Sequence, residues 1–92
     1  MAVGDRRLAI YSYVAELRLL AQVNSPLGRD NFNGTVANLE MAANNPAPFT
    51  NAGFYANETR REYELLITEI RKSIHAEFVP RIEALRPRIE SL

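Results

Sequence analysis

The chain has 92 residues, 47% hydrophobic and 24% charged, with 11 basic and 11 acidic side chains and no cysteine. This length holds one domain, residues 1–92, that buries only roughly 60 to 65% of its unfolded surface, and a composition this apolar excludes an intrinsically disordered chain. Zero net charge excludes a global field drawing the protein onto nucleic acid or an anionic membrane, while the lack of cysteine excludes disulfides, thiolate catalysis and cysteine-ligated zinc and points to a cytoplasmic location.

No segment alternates with a period of two for long enough to form a strand, so the fold class expected is all-α. The first helix runs from about residue 5 to 23, with Asp5 as its cap. Arg6-Arg7 precede an apolar run, but Glu16 and Arg18 interrupt it too early for a signal peptide or a membrane span. This helix carries two apolar stripes. Ala9, Ile10, Tyr13, Val14, Leu17, Leu20 and Ala21 form the core face, and Leu8, Tyr11, Ala15 and Leu19 lie where a surface helix should be polar.

Asn24-Ser25-Pro26-Leu27-Gly28 reads as a turn, succeeded by a second helix over about 30–43 with Phe32, Val36, Leu39 and Ala43 on one stripe. Asn44-Asn45-Pro46 ends it, and residues 44–56 form the linker. From about 57 to 91 one apolar face persists through Tyr63, Ile67, Ile70, Ile74, Phe78, Ile82, Leu85, Ile89 and Leu92, at a mean step close to the 3.6 of an α-helix. The spacing predicts a long C-terminal helix and hence a three-helix domain, a helical hairpin or bundle. Arg60 with Glu64, Glu77 with Arg81 and Arg86 with Glu90 stand four apart and are expected to pair along it.

Pro-Arg-Ile-Glu occurs twice in this last helix, beginning at Pro80 and again at Pro87. With Ile82, Leu85, Ile89 and Leu92 as the contact seam, both prolines fall opposite it and face water, where a freed carbonyl is best tolerated. The helix is therefore expected to bend, or to break near Pro80, with a break at Val79 as the sharper alternative. Arg81, Arg86 and Arg88 flank the seam, so two tails zipped together would oppose like charges. The tail is expected to lie on its own domain or on an acidic neighbour, with Glu58, Glu62 and Glu69 as candidates.

Chemical signatures are sparse. His75 is the sole histidine and is expected to be exposed, no Glu-x-x-His occurs, and Gly28, Gly34 and Gly53 are isolated rather than part of a phosphate loop. No catalytic residue, metal ligand or cofactor is assigned. Phe54, Tyr55, Asn57, Arg60 and Arg61, within the segment 49–61, bring aromatic faces, an amide and two guanidinium forks to a helix start, which is what a nucleotide or phosphate ligand needs.

The second stripe on the first helix, Leu8, Tyr11, Ala15 and Leu19, is the candidate oligomer interface, because one small domain can hardly cover both stripes. A C-terminal helix of about 35 residues would span about 50 Å, longer than such a domain is wide, and points the same way. The function expected is that of a small non-enzymatic helical homo-oligomer acting through protein–protein interaction, as an adaptor, structural or inhibitor protein, phage-encoded in one reading. The alternative is a nucleotide- or phosphate-binding module built on residues 49–61.

Overall fold

A computed structural model describes residues 6–49 and 53–92. The described residues contain five α-helices and one 3-10 turn, joined by short turns, and no strand occurs among them. Helix α1 spans Arg6–Leu20, α2 Pro26–Asn44 and α3 Ala56–Ile70; a 3-10 turn at Ala76–Phe78 leads into the short helices α4, Val79–Glu83, and α5, Arg86–Glu90. The Asp5 cap lies outside the described residues.

The first correction concerns the start of α2. Residues 24–28 are not all turn: Ser25 is the N-cap of α2, its hydroxyl accepting from the Gly28 amide at 3.1 Å, and Pro26 occupies the first turn. Proline is favoured there because its missing N–H would have had no intrahelical partner. Gly28 is buried against Val23, and a Cβ on it would lie 2.5 Å from the Val23 Cγ1 and 2.9 Å from the Val23 carbonyl oxygen. The turn between α1 and α2 is therefore tight enough that only glycine fits.

The second correction concerns the long C-terminal helix. Helix α3 stops at Ile70, ten residues before Pro80, and gives way to a turn and a run of short helical pieces. Ser73 accounts for the stop: its hydroxyl donates to the Ile70 carbonyl at 3.0 Å and accepts from the His75 amide at 3.0 Å, taking over backbone groups that a continuing helix would have paired. The break expected at Val79 is also absent, since Val79 is helical at φ −54°, ψ −47°. The chain bends one residue earlier in each repeat, at Phe78 (ψ −7°) and Leu85 (ψ −2°). Pro80 and Pro87 each stand in the first turn of a new helix, exposed to water, where no intrahelical bond is lost. The Pro-Arg-Ile-Glu repeat is thus a structural repeat: two one-turn helices, each putting its isoleucine into the core.

The packing runs up, down, up and back. Helix α2 reverses on α1 through the tight turn. Helix α3 is parallel to α1, because Tyr11 meets Tyr55 at its start and Arg18 meets Glu62 and Glu69 further along. The tail returns antiparallel to α3 and leans on α2 as well: the Tyr63 hydroxyl donates to the Ile82 carbonyl at 2.6 Å, Arg60 donates to the Glu90 carbonyl at 3.4 Å, and Arg81 bonds Glu40 and Asn33 of α2. At the near end Arg7 donates to the Leu92 carbonyl at 3.1 Å. Ile10, Val14, Leu17, Phe32, Val36, Leu39, Tyr63, Leu66, Ile70, Ile82 and Ile89 form one continuous core. Of the nine-residue stripe expected from Tyr63 to Leu92, all but Ile74 are buried; Ile74 is 53% exposed in the turn after α3.

Ion pairing obeys the tertiary fold rather than the sequence-local pairs. Glu77 pairs with Arg29, Arg81 with Glu40 at 2.5 Å, and Arg86 with Glu64. Among the expected i,i+4 pairs Arg86 reaches Glu90 at 3.8 Å, whereas Arg60 bonds Asn57 and the tail backbone instead. The tail lies on its own domain as expected, but its arginines meet Glu40 and Glu64 and not Glu58, Glu62 or Glu69. The molecule measures 37 × 26 × 18 Å, so the 50 Å helix that argued for an oligomer is not part of the fold.

Candidate functional site

The outer face of α1 carries Leu8, Ala15 and Leu19, with Tyr11 at its α3 edge. Helices α2 and α3 flank α1 and the tail packs across the far side of α2 and α3, so among the described residues no element lies over this face. Leu8 is 41% exposed and Leu19 is 74% exposed, while Ile10, Val14 and Leu17 on the opposite face are fully buried. Exposed leucines a helical repeat apart cost solvation free energy that a lone domain has no means of recovering. Tyr11 is half-buried because its ring rests on that of Tyr55, centroids 5.4 Å apart.

Beside this face, along the seam between α1 and α3, runs a groove of about 430 Å³ lined by Ala15, Arg18, Leu19, Gln22, Glu62 and Glu69. Arg18 is the cation in its lining. Its guanidinium grips Glu69 through Nε at 3.2 Å and Nη2 at 2.7 Å and reaches Glu62 through Nη1 at 2.8 Å. Two carboxylates raise the Arg18 pKa further above its ordinary value, and the hydrogen bonds from Arg18 hold the Glu69 carboxyl below the usual carboxylate range. The sequence marks Ala15 and Leu19 as part of the exposed stripe of α1 but gives no sign of the groove or its ion cluster, whose carboxylates stand 44 and 51 residues from Arg18 along the chain.

The second candidate site, Phe54, Tyr55, Asn57, Arg60 and Arg61, is spread over the start of α3. Phe54 is 67% exposed, and Tyr55 caps the helix with its backbone in the left-handed region at φ 64°. Asn57 accepts from Arg60 at 2.9 Å, so one of the two guanidinium forks is committed to the protein itself. Arg61 is exposed on the outer side of α3. Phe49 sits apart from them, its ring centroid 4.3 Å from the Arg6 guanidinium and 4.1 Å from that of Arg7.

His75 is the residue whose environment departs most from expectation. It is fully buried, its ring stacked on Phe32 with centroids 4.5 Å apart and planes 1° from parallel. The Nε2 lies 3.0 Å from the Val23 carbonyl, and because a carbonyl only accepts, Nε2 is the donor in this contact. The imidazole pins the turn after α3 to the turn after α1. Among the described residues no group of three or more His, Asp or Glu side chains is placed to hold a metal ion, and no helix is long and apolar enough to cross a membrane. No family model, curated protein or solved structure matches the chain.

Proposed function

We propose that the protein is a small non-enzymatic helical homo-oligomer that works in the cytoplasm through protein–protein interaction, as an adaptor, structural or inhibitor protein. The observation that carries this reading is the apolar face of α1, with Leu8 and Leu19 open to water on a helix whose Ile10, Val14 and Leu17 are fully buried on the other side. The occupant proposed is a second copy. Leu8, Ser12, Ala15 and Leu19 succeed one another at intervals of four, three and four residues, a spacing that reads the same in both directions. Two such helices packed antiparallel place each Leu8 on the other's Leu19 and the small Ser12 and Ala15 together at the centre, which is the self-complementarity a two-fold interface requires.

Light scattering coupled to size exclusion tests it. The wild type is expected to run at a multiple of its 10.4 kDa chain mass at micromolar concentration, and Leu19→Glu at the chain mass itself. A wild type that stays at the chain mass across that range overturns the proposal.

A further inference from the structure

The α1–α3 groove and the Phe54 turn are surface features that the apolar face of α1 leaves unexplained. The lining of the groove combines the apolar Ala15 and Leu19 with the Arg18 guanidinium, the setting in which an aromatic ring is held by both dispersion and cation–π attraction. Phe54 is an aromatic side chain left 67% exposed, on a turn fixed by left-handed backbone at Gly53 (φ 81°) and Tyr55 (φ 64°). A bulky residue rarely holds a positive φ, and Tyr55 does so with its ring seated against Tyr11. The backbone on either side of Phe54 is therefore set in left-handed conformations, with Tyr55 anchored on Tyr11 and the Phe54 ring open to water.

Symmetry connects the two features. The antiparallel pairing of α1 has its two-fold axis midway between Leu8 and Leu19, at the level between Tyr13 and Val14. Tyr11, with the 53–55 turn beside it, lies on the N-terminal side of that level; the groove, from Ala15 to Gln22, lies on the C-terminal side. Both are on the flank of α1 that faces α3. A two-fold axis crossing the helices keeps flanks together and exchanges N-terminal for C-terminal sides, so it carries the turn of one copy onto the groove of the other.

Resting on the homo-oligomer reading above, we propose that the α1–α3 groove is the docking site for Phe54 of a second copy, reciprocally, so that each protomer completes the other's groove. Charge supports the register. Tyr55 level with Tyr11, and Arg18 reaching Glu62 on one side of its level and Glu69 on the other, put the axis near Thr59 and Arg60 on α3. Glu58 and Arg61 bracket that level, both exposed and without an ion-pair partner among the described residues, and reversal sets each opposite the other's counter-charge. The broad face of the molecule, 37 × 26 Å, is large enough for the ~800 Å² that a stable interface takes from each partner.

Two measurements separate this inference from the oligomer reading beneath it. Dissociation constants from sedimentation or scattering are expected to rise at least about tenfold for Phe54→Ala and to stay within about twofold for Leu27→Ala, a similarly exposed side chain on α2. The chain lacks cysteine, so Phe54→Cys and Leu19→Cys proteins, mixed under mild oxidation, report proximity directly. The mixed disulfide is expected to form well above the yield of either protein alone. A wild-type dimer whose affinity ignores Phe54→Ala, or whose cross-links are 54–54 or 19–19 rather than mixed, overturns the docking while leaving the oligomer in place. A monomeric wild type overturns both.

Discussion

Two glycines in α2 show how position alone sets the sign of a substitution. At Gly28 an added methyl meets the Val23 side chain at 2.5 Å and its carbonyl oxygen at 2.9 Å, and that carbonyl is also the acceptor that holds His75. Gly28→Ala should therefore lower stability by about 1 to 3 kcal/mol, as overpacking does. Gly34, on the water side of the same helix, has nothing within 4 Å of its would-be Cβ. Gly34→Ala should raise stability by up to about 1 kcal/mol through helix propensity, and urea titration of the two variants reads both signs. Tyr63 makes a pH prediction of the same kind. Burial pushes its phenol up from 10.0 to about 12 against the opposing pull of Arg86. Between those values the unfolded chain loses the proton and the folded chain keeps it, so stability is present below pH 10 and declines as pH rises to 12, by on the order of 2 kcal/mol. Melting curves over that window should flatten in Tyr63→Phe; an unchanged slope would show that another group is responsible.

Among the elements, the tail supplies buried side chains that a short chain can ill lose. Ile82, Leu85, Ile89 and Leu92 are all buried although no continuous helix delivers them. At roughly 1.5 kcal/mol or more for each buried side chain, truncation after Phe78 should abolish the cooperative thermal transition of a domain whose whole margin is of similar size. Pro87→Ala should leave that transition within a few degrees of wild type, since Pro87 is exposed in the first turn of α5 and its ring displaces no backbone bond. The apolar period makes the tail's burial legible from sequence, because short helical pieces joined by near-helical residues keep nearly the same rise and rotation as one helix. The break itself is not legible. Nothing in Arg71-Lys72-Ser73-Ile74-His75 is a strong helix breaker, and the stop depends on the Ser73 hydroxyl capturing local backbone while His75 is drawn under Phe32, 43 residues away in sequence. The start of α2 is ambiguous in sequence: Ser25-Pro26 is as good a helix start as a turn, and the packing of Gly28 on Val23 decides between them.

At the scale of the whole molecule the interface proposal rests on a fold that closes its own core. The radius of gyration is 12.9 Å against about 12 Å expected for this length, and the accessible surface is 5501 Å² against about 5,400 Å². The α1 face is legible as a second apolar stripe, whereas the groove beside it is not, because Arg18 finds Glu62 and Glu69 only through tertiary packing. Because the core is self-contained, two leucines of α1, two positions apart, should fail in different ways. Leu17 is fully buried, so Leu17→Glu forces an unpaired carboxylate into the core and should abolish the folded state. Leu19 is 74% exposed, so Leu19→Glu meets water in the monomer and should keep the helical circular dichroism of the wild type. Association that is open only to the folded chain raises its melting temperature with protein concentration by mass action. The wild type should show that rise from micromolar to hundreds of micromolar, on the order of a few degrees for each kcal/mol of linkage, and Leu19→Glu should melt at one temperature throughout. A concentration-dependent melt that survives unchanged in Leu19→Glu would move the interface off α1, and the exposed Leu27 and Met41 of α2 would then be the surface to substitute next.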